Sequence, residues 1–569
     1  MTDTTKKTLR SNFDPGSTRW AVRRAQWRAL GIPPEDLEKP KVAIVNTSSE
    51  LSICFAHLDG IVAELKAAIR AAGGVPFEIR TTAPSDFVTG AARGGRYLMP
   101  ARELVAHDIE VSVEGAQLDG MICLASCDKT APAQMMAMAR LDIPALILAC
   151  GYHRSGHIDG TALDIEDVFE GVGEYLSGKI TLATLTAMTD RAITGPGVCA
   201  GMGTANSMHI MAEALGLALP GTTPVAAAGE ALRHNTQSAG RRIVEMIAED
   251  LRPSSILSRG AFRNALAVSL AVSGSVNVLR HLAAVAAEAG LDLDLYEMIS
   301  ELGERVPQLA GVKPCGPHRI EDLEAAGGTR AVMQALAPLL DLSCLGASGQ
   351  CLTDEMQAAP SAPPHPALGS LDNPFRHGPS VMVLRGTLAP EGAILKSGDG
   401  SAPERFSGPA QVFSSQEEAL DALTGNEIAP GSVVVLRGLG ARGGPGVASA
   451  SWFVAALSGS GLASQVCVVT DGQLSGLNHG LVVGQVCPEA SDLGPLAAVR
   501  DGDRISLDLG ARRIDLDLAP EVIARRISEA PKLRLAEPKG WLALYQRNVG
   551  PLPKGATTGA PINFSDSSE

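Results

Sequence analysis

A thiol, a carboxylate and an amine stand next to one another at Cys127, Asp128 and Lys129. A thiolate is a soft ligand that suits iron or zinc, whereas a carboxylate oxygen is a hard ligand that suits magnesium. The tripeptide therefore predicts a site for metal chemistry. The alternative is a buried cysteine beside a surface Asp–Lys pair, because free cysteine often serves as a small core residue.

The element before this tripeptide determines where it would lie. Residues 118–126 form an apolar run, which predicts a buried strand that ends at Cys127. In an open α/β sheet, ligands bind beyond the carboxyl ends of the strands. The pattern therefore places Cys127, Asp128 and Lys129 at the sheet edge where a ligand would bind.

Two further cysteines stand in loop-like segments with polar or glycine neighbours. Cys54 lies within residues 48–57, and Cys199 lies among the glycines of residues 195–203. Glycine lets backbone amides approach a bulky anionic ligand, and an iron–sulfur cluster is such a ligand. Three thiolates, with Cys127 as the third, would leave an open iron position for a substrate. By spacing alone, widely separated cysteines are more often core residues, which is the alternative.

A second carboxylate and a serine complete the candidate residues. Asp86 follows a predicted strand and, together with Asp128, suits a hard divalent cation, although a turn or helix N-cap aspartate is the alternative. Ser475 follows another apolar run within residues 470–476. A serine acts as a base only if a nearby cation lowers its pKa, and a turn-capping serine is the alternative.

One motif resembles a nucleotide-binding loop without its usual surroundings. Residues 438–443 have the spacing GxGxxG between a predicted strand and a predicted helix, as in dinucleotide-binding folds. Pro445 interrupts the segment, and residues 458–464 contain no acidic partner for a ribose. A nicotinamide-dependent oxidoreductase is therefore disfavoured.

The chain divides into two parts of different character. From about residue 40 to 230, short apolar runs alternate with amphipathic helices, which predicts an α/β fold with a parallel sheet, followed by a mostly helical region up to Cys344. Beyond a proline-rich stretch, short β runs predict a smaller, β-rich, barrel-like domain. We expect an α/β domain at residues 1–357, a linker at 358–380 and a β-rich domain at 381–569 that carries Ser475.

Composition excludes several classes of partner. The 569-residue chain has a formal net charge of -14 and no long basic run, so neither nucleic acid nor an anionic membrane is an expected partner. We find no secretory signal and no apolar run long enough to span a bilayer. The 10 cysteines include no CxxC pair, which is typical of a cytoplasmic protein with reduced thiols.

Taken together, these segments resemble the family of dihydroxy-acid, aldonate and phosphogluconate dehydratases, from about Leu9 to about Gly559. The most specific motifs are Cys127-Asp128-Lys129, residues 201–208 after Cys199, and Thr470-Asp471-Gly472 through Ser475-Gly476.

The resemblance implies an iron–sulfur hydro-lyase. Its substrate would be a 2,3-dihydroxy carboxylic acid, which loses the C2 proton and the C3 hydroxyl and tautomerises to a 2-oxo-3-deoxy acid. The resemblance also assigns residues: Cys54, Cys127 and Cys199 as ligands of a cluster ([2Fe–2S] favoured, [4Fe–4S] as the alternative); Asp86, Asp128 and a carbamylated Lys129 as ligands of Mg²⁺; and Ser475, with Lys129, in catalysis.

The chain also departs from the family pattern. Ser449 and Leu439 stand where relatives usually carry glutamates, and Phe87 stands where the dihydroxy-acid branch usually has glycine. Loss of carboxylates weakens a magnesium site, because Mg²⁺ needs charge-dense oxygen ligands. A non-catalytic or functionally diverged homologue is therefore an alternative to an enzyme.

The branch within the family is mixed. Residues 85–103 resemble the branched-chain dihydroxy-acid branch, whereas Leu9-Arg10-Ser11 and residues 540–545 resemble the aldonate branch. A sugar-acid substrate is our first expectation, and the dihydroxy acid of branched-chain amino-acid biosynthesis is the alternative. The resemblance also implies a homodimer or homotetramer acting on a small polyhydroxy acid.

Overall fold

The computed structural model describes residues 9–91, 95–396, 403–444, 450–474, 480–531 and 539–559. Two large sheets and a short hairpin, with helices packed around them, make up this part of the chain. Pro445, Ser449, Ser475 and Gly476, all discussed above, lie outside the described residues.

The first sheet has four strands, all parallel, in the order β2-β1-β3-β4. Every residue of β1, β3 and β4 is buried. Parallel strands covered by helices on both faces have continuous apolar runs, which is why the sequence pattern identifies them. The predicted parallel-sheet α/β fold is therefore confirmed. The strands are β1 (Lys41–Asn46), β2 (Val75–Arg80), β3 (Gly120–Ala125) and β4 (Ala145–Ala149).

The helices of the first half surround this sheet and continue into the mostly helical region. They are α1 (Thr18–Ala29), α2 (Leu58–Ala71), α3 (Asp86–Thr89), α4 (Leu98–Gly115), α5 (Thr130–Leu141), α6 (Ile165–Leu176), α7 (Leu182–Arg191), α8 (Thr204–Ala214), α9 (Glu230–Glu249), α10 (Pro253–Ile256), α11 (Arg259–Ala271), α12 (Asn277–Glu288), α13 (Leu295–Leu302), α14 (Ile320–Ala325), α15 (Gly328–Leu336) and α16 (Leu352–Ala358). A short hairpin, β5 (Gly156–Ile158) and β6 (Thr161–Leu163), precedes α6.

The second sheet has eight strands in the order β14-β13-β9-β10-β11-β12-β8-β7. A β-bridge between Arg385 and Arg513 links its two ends, so the sheet curls into a nearly closed barrel. The predicted β-rich, barrel-like second part is confirmed. Its elements are β7 (Val381–Leu384), β8 (Gly392–Lys396), β9 (Arg405–Phe413), α17 (Gln416–Thr424), β10 (Val433–Leu436), α18 (Ser451–Ser460), β11 (Cys467–Thr470), β12 (Val482–Cys487), β13 (Arg504–Asp508), β14 (Arg513–Leu516), α19 (Pro520–Glu529) and α20 (Gly540–Asn548).

Strand β10 shows how the two halves share a core. Val433 and Val435 belong to the apolar cluster inside the barrel, whereas Val434 and Leu436 belong to the large cluster that includes the first sheet. Successive side chains of a strand point to opposite faces, so one strand serves both cores. The division into domains at residues 358–380 stays a prediction. Among the described helices, none is both long and apolar enough to cross a bilayer.

Helices α6 and α18 come from different halves and cross at a pair of glycines. A Cβ atom on Gly459 would lie 2.5 Å from the Cα atom of Gly173, and a Cβ atom on Gly173 would lie 2.7 Å from the Cα atom of Gly459. Only residues without a side chain allow two backbones to approach so closely. This crossing sets the distance between the two halves beside the site described below.

We expect Gly459→Ala to destabilise the protein by about 1–3 kcal/mol, because the added methyl group overpacks the crossing and separates α6 from α18. The measurement is the midpoint of thermal unfolding. Gly60→Ala in α2 is the matched control, since a Cβ atom there meets nothing within 4 Å. A Gly459→Ala variant as stable as the control would contradict the close crossing.

Candidate active site

Three of the predicted site residues follow three neighbouring parallel strands. Cys54 lies in the loop after β1, Asp86 follows β2, and Cys127 comes two residues after the end of β3. Because these strands are parallel and adjacent, their carboxyl ends meet at one edge of the sheet. Cys199 reaches the same edge from the turn before α8.

The cysteine thiols interact with one another in a buried setting. Cys54 and Cys127 are hydrogen-bond partners, and this contact lowers the pKa of Cys54 and raises that of Cys127. Burial raises the pKa of Cys199, and the neighbouring Cys54 adds to this effect. All three are free thiols. Without a bound cation, this buried group of thiols therefore accommodates one thiolate more easily than three.

Polar side chains fix the backbone that carries these cysteines. The Ser126 hydroxyl donates to the carbonyl oxygen of Cys54 at 2.5 Å, and His209 Nε2 lies 2.8 Å from the carbonyl oxygen of Ser126. The Asn206 amide donates to the carbonyl oxygen of Cys199 at 2.7 Å. Sequence reasoning assigned no role to these three residues. The only feature of the sequence that could have identified them is that each is a polar residue inside or beside a cysteine motif.

Lys129 joins the two candidate carboxylates into one buried ion cluster. Its Nζ lies 3.0 Å and 3.1 Å from the two oxygens of Asp86 and 2.9 Å from Oδ2 of Asp128. The Lys129 side chain is fully buried. The structure thus brings Asp86, Asp128 and Lys129 together, next to the Cys127 thiol, which donates to Asp128 at 3.3 Å.

The two carboxyl groups of this cluster differ in their protonation. Burial raises the pKa of Asp86 well above its usual value, and the charge of Asp128 raises it further. Burial also opposes ionisation of Asp128, but the Lys129 ammonium outweighs it and holds the pKa of Asp128 below its usual value. Burial alone would lower the pKa of Lys129, yet the two aspartates raise it. At neutral pH the cluster is therefore one ammonium, one carboxylate and one carboxyl group that resists ionisation.

These groups open into a cleft of about 1020 Å³, counted with its mouth. Asp86, Asp128, Cys127 and Cys199 line it, together with the aromatic side chains of Phe87, Phe169 and Trp452. Trp452 belongs to α18 of the second half, so both halves of the chain line the cleft.

Glu166 is a cleft residue that sequence reasoning missed. Its side chain is buried, and Oε1 has no hydrogen-bond partner. Burial raises the pKa of Glu166 to about 8, so the group is largely protonated at neutral pH and can donate a hydrogen bond. A Cβ atom on Gly201 would lie 1.9 Å from Oε1, which shows that the glycine leaves room for this carboxyl group. No motif in the sequence marks it.

Leu474, the last described residue before Ser475, is anchored to a residue of the first half. The Asn277 amide donates to the carbonyl oxygen of Leu474 at 2.8 Å and to Oγ1 of Thr204 at 3.0 Å. Thr204 lines the cleft. The last described residue before Ser475 is therefore tied to a cleft-lining side chain.

The amides of the GxGxxG loop already have partners within the protein. Asp471 accepts from the amides of Gly438 and Leu439 at 3.0 Å and 2.9 Å. Glu489 accepts from the amides of Arg442 and Gly443 at 2.9 Å and 3.0 Å. These donors would be the ones to hold a pyrophosphate, so the loop does not act as a dinucleotide site.

The structure brings together the ligands expected for each of the two cofactors. Three free cysteines at one sheet edge, two of them in contact, suit an iron–sulfur cluster, which cysteine thiolates hold in place. Mg²⁺ held by Asp86, Asp128 and a carbamylated Lys129 stays a prediction: the structure brings the two carboxyl groups together, with the unmodified Lys129 ammonium between them. No group of three His, Cys, Asp or Glu side chains in the described ranges is arranged to hold a single metal ion.

The fold and the cleft define an α/β enzyme in two parts, with an acid-and-thiol site between a parallel sheet and a barrel. Residues 39–355 match the family model of the dihydroxy-acid/6-phosphogluconate dehydratase N-terminal region, and residues 367–556 match that of the C-terminal region. The chain therefore belongs to the dihydroxy-acid/6-phosphogluconate dehydratase family. As a member, it is a hydro-lyase, a class of carbon–oxygen lyase.

Similar proteins cover nearly the whole chain. A dihydroxy-acid dehydratase of Caldicellulosiruptor bescii is 38% identical over 95% of this chain and 97% of its own length. One of Caldanaerobacter subterraneus subsp. tengcongensis is 38% identical over 96% and 99%. One of Methanothermobacter thermautotrophicus is 37% identical over 94% and 98%.

Proposed function

We propose that this protein dehydrates a 2,3-dihydroxy acid of the branched-chain type to a 2-oxo acid. The observation that supports this most directly is the Asp86–Asp128–Lys129 ion cluster beside the paired thiols of Cys54 and Cys127. The relatives are named dihydroxy-acid dehydratases, which corrects our first expectation of a sugar-acid substrate. That expectation depended on short terminal motifs, whereas the similarity to these relatives extends over the whole chain.

In this proposal Cys54, Cys127 and Cys199 hold an iron–sulfur cluster, for which the family resemblance favours [2Fe–2S], with [4Fe–4S] as the alternative. When bound, the cluster supplies a Lewis acid for the hydroxyl group that leaves from C3. Ser126 and Asn206 keep the cysteine-bearing loops in place through their bonds to backbone carbonyl oxygens. The protein thus contributes to this step by orienting the three thiolates.

Asp86 and Asp128 bind the substrate in this proposal, and Lys129 positions them. Both aspartates line the cleft, whereas Lys129 lies beneath them with no exposed surface. All four of their oxygens already accept a hydrogen bond within the protein, but a carboxylate oxygen has a second lone pair with which it can accept from a substrate hydroxyl group. Lys129 donates to both, which fixes their spacing and limits the negative charge presented to a substrate carboxylate.

Ser475 remains our proposed base for the C2 proton, supported by the anchoring of Leu474 to Asn277. Loss of that proton and departure of the C3 hydroxyl yield an enol, which tautomerises to the 2-oxo acid. The leaving oxygen takes up a proton, and Glu166 is the largely protonated carboxyl group in the same cleft. Ten free cysteines support a reducing, cytoplasmic setting. A homodimer or homotetramer stays a prediction.

The test is a turnover assay on protein purified without oxygen. We expect 2-oxo acid from a 2,3-dihydroxy acid with two methyl groups on C3, and much slower formation from a C6 aldonate. Faster turnover of the aldonate would return the protein to the sugar-acid branch. No turnover of either substrate by protein that holds iron and sulfide would support the non-catalytic alternative.

A further inference from the structure

Arg280 in helix α12 is a buried cation whose hydrogen-bonding edge is unused. The residue is 1% exposed, and its Nε and Nη2 atoms have no hydrogen-bond partner among the described residues. These two nitrogens form one edge of the planar guanidinium group, from which two N–H bonds point in the same direction. A carboxylate binds to such an edge through two parallel hydrogen bonds.

The charge of Arg280 is not balanced by a carboxylate in the described part of the chain. Burial lowers the pKa of Arg280 to about 9, and the neighbouring Arg102 adds to this effect, so Arg280 still carries its charge at neutral pH. Arg102 pairs with Glu103 at 2.6 Å, and Lys129 pairs with Asp128 at 2.9 Å. The other carboxyl group of the ion cluster resists ionisation. One positive charge is therefore left over, and an unpaired buried charge is costly.

The polar groups closest to Arg280 are hydrogen-bond donors that also lack partners. Tyr296 and Tyr545 interact electrostatically with Arg280, their hydroxyl groups are unpartnered, and burial raises the pKa of both. His281 accepts from Arg102 through Nδ1 at 3.2 Å, so its unpartnered Nε2 carries a proton. Water could accept these hydrogen bonds but would not balance the charge. The surroundings of Arg280 thus fit an anion.

Helix α12 places Arg280 at the back of the active site. Asn277, three residues earlier, donates to the cleft-lining Thr204 and to the carbonyl oxygen of Leu474. Residues three apart on a helix are neighbours on its surface, so Arg280 lies one turn behind these contacts. Asp86 of the ion cluster is close enough for its charge to act on the guanidinium group.

The chemistry of the site favours a carboxylate over other anions. A carboxylate is planar, carries a single charge that matches the one positive charge left over, and fits the guanidinium edge with both oxygens. In a 2-hydroxy acid the carboxylate is bonded to the carbon atom that carries the hydroxyl group. A substrate with its hydroxyl groups on Asp86 and Asp128 therefore has its carboxylate only one bond further on, in the region between Asp86 and Arg280.

We propose that Arg280 binds the carboxylate group of the substrate through its Nε–Nη2 edge. This inference rests on the proposed function, because it names the residue that holds one end of the substrate in the same site. Arg280 is a binding residue: it anchors the group next to C2, while the bonds that break are on C2 and C3.

The test is calorimetric binding to the intact, cluster-containing protein, with two probes that differ only at the carboxylate. The probes are 2-hydroxy-3-methylbutanoate and its neutral amide, and neither can be dehydrated because both lack a hydroxyl group on C3. We expect the acid to bind at least about tenfold more tightly than the amide. In Arg280→Met we expect about ten- to hundredfold weaker binding of the acid and about twofold change or less for the amide.

Two further variants separate carboxylate binding from a general effect on folding. Arg280→Lys keeps the charge but loses the planar edge, so it should weaken the acid by about three- to tenfold and leave the amide unchanged. Arg263→Met is the control, since Arg263 on α11 pairs with Glu301 at 3.6 Å in a partly exposed setting, and it should change neither affinity. Equal binding of acid and amide by the unmodified protein, or equal weakening of both probes in Arg280→Met and Arg280→Lys, would overturn the proposal.

Failure of the proposed function gives a different result. If the branched dihydroxy acid is turned over and Arg280→Met leaves its KM unchanged, only the carboxylate site is wrong. If the probes show the expected ratio but no dihydroxy acid is turned over, the carboxylate site stands and the dehydration is wrong. If neither probe binds and no substrate is turned over, both are wrong.

Discussion

Cys127→Ala is expected to abolish dehydration, with a loss on the order of a thousandfold or more, because the leaving hydroxyl loses its Lewis acid. Cys127 is the central thiol of the site: it contacts Cys54 and donates to Asp128 at 3.3 Å. In the proposed mechanism its loss removes one cluster ligand, and it also removes one partner of the ion cluster. The measurements are turnover, iron and sulfide content, and visible absorption of protein purified without oxygen.

Cys123→Ala is the matched control for this prediction. Cys123 lies on the same strand, β3, and is fully buried, but it does not line the cleft. Burial raises its pKa far above the ordinary value, so it does not supply a thiolate. The control should keep both cluster and turnover apart from a modest loss of stability. Equal iron content in both variants would show that Cys127 is not a ligand.

Lys129→Met is expected to destabilise the protein by about 3–5 kcal/mol, because it leaves a buried carboxylate without its counter-ion. Methionine keeps the approximate length of the side chain, so the change is mainly one of charge. Lys129 contacts both Asp86 and Asp128 from a position with no exposed surface. The measurement is the midpoint of thermal unfolding at neutral pH, together with turnover.

A second variant separates stability from function. Lys129→Met with Asp128→Asn removes the uncompensated carboxylate, so much of the lost stability should return while turnover does not. Lys66→Met is the control, since Lys66 pairs with Glu78 at 2.7 Å in a partly exposed setting, where such a pair is worth about 0–1 kcal/mol. A Lys129→Met variant as stable as Lys66→Met would contradict the buried ion cluster.

The strands and their common edge could be predicted from the sequence. The apolar runs at residues 42–45 and 143–148 correspond to β1 and β4, because a parallel strand buried on both faces leaves no polar position in the pattern. The end of the run at Cys127 marked the edge of the sheet for the same reason. Cys54 and Asp86 then follow from strand order, since neighbouring parallel strands end together.

Two parts of the site could not be read from the sequence. Glu166 lies on a helix whose pattern shows only an amphipathic face, so nothing distinguishes this cleft residue from a core residue. The GxGxxG loop has the spacing of a nucleotide site, but the sequence does not show that its amides are already occupied. In the structure they donate to Asp471 and Glu489.

By itself, the sequence determined the two-part architecture, the three cysteines and the placement of Cys127, Asp128 and Lys129 after a buried strand. These features depend on the pattern of apolar and polar residues and on their order along the chain. That pattern determines strands and turns through local backbone preferences and burial. Only the tertiary structure decided that Lys129 binds both carboxyl groups, that Glu166 faces the cleft and that Phe87 pairs with Phe169. Such contacts join residues far apart in the chain, and their energies exist only once the elements have packed.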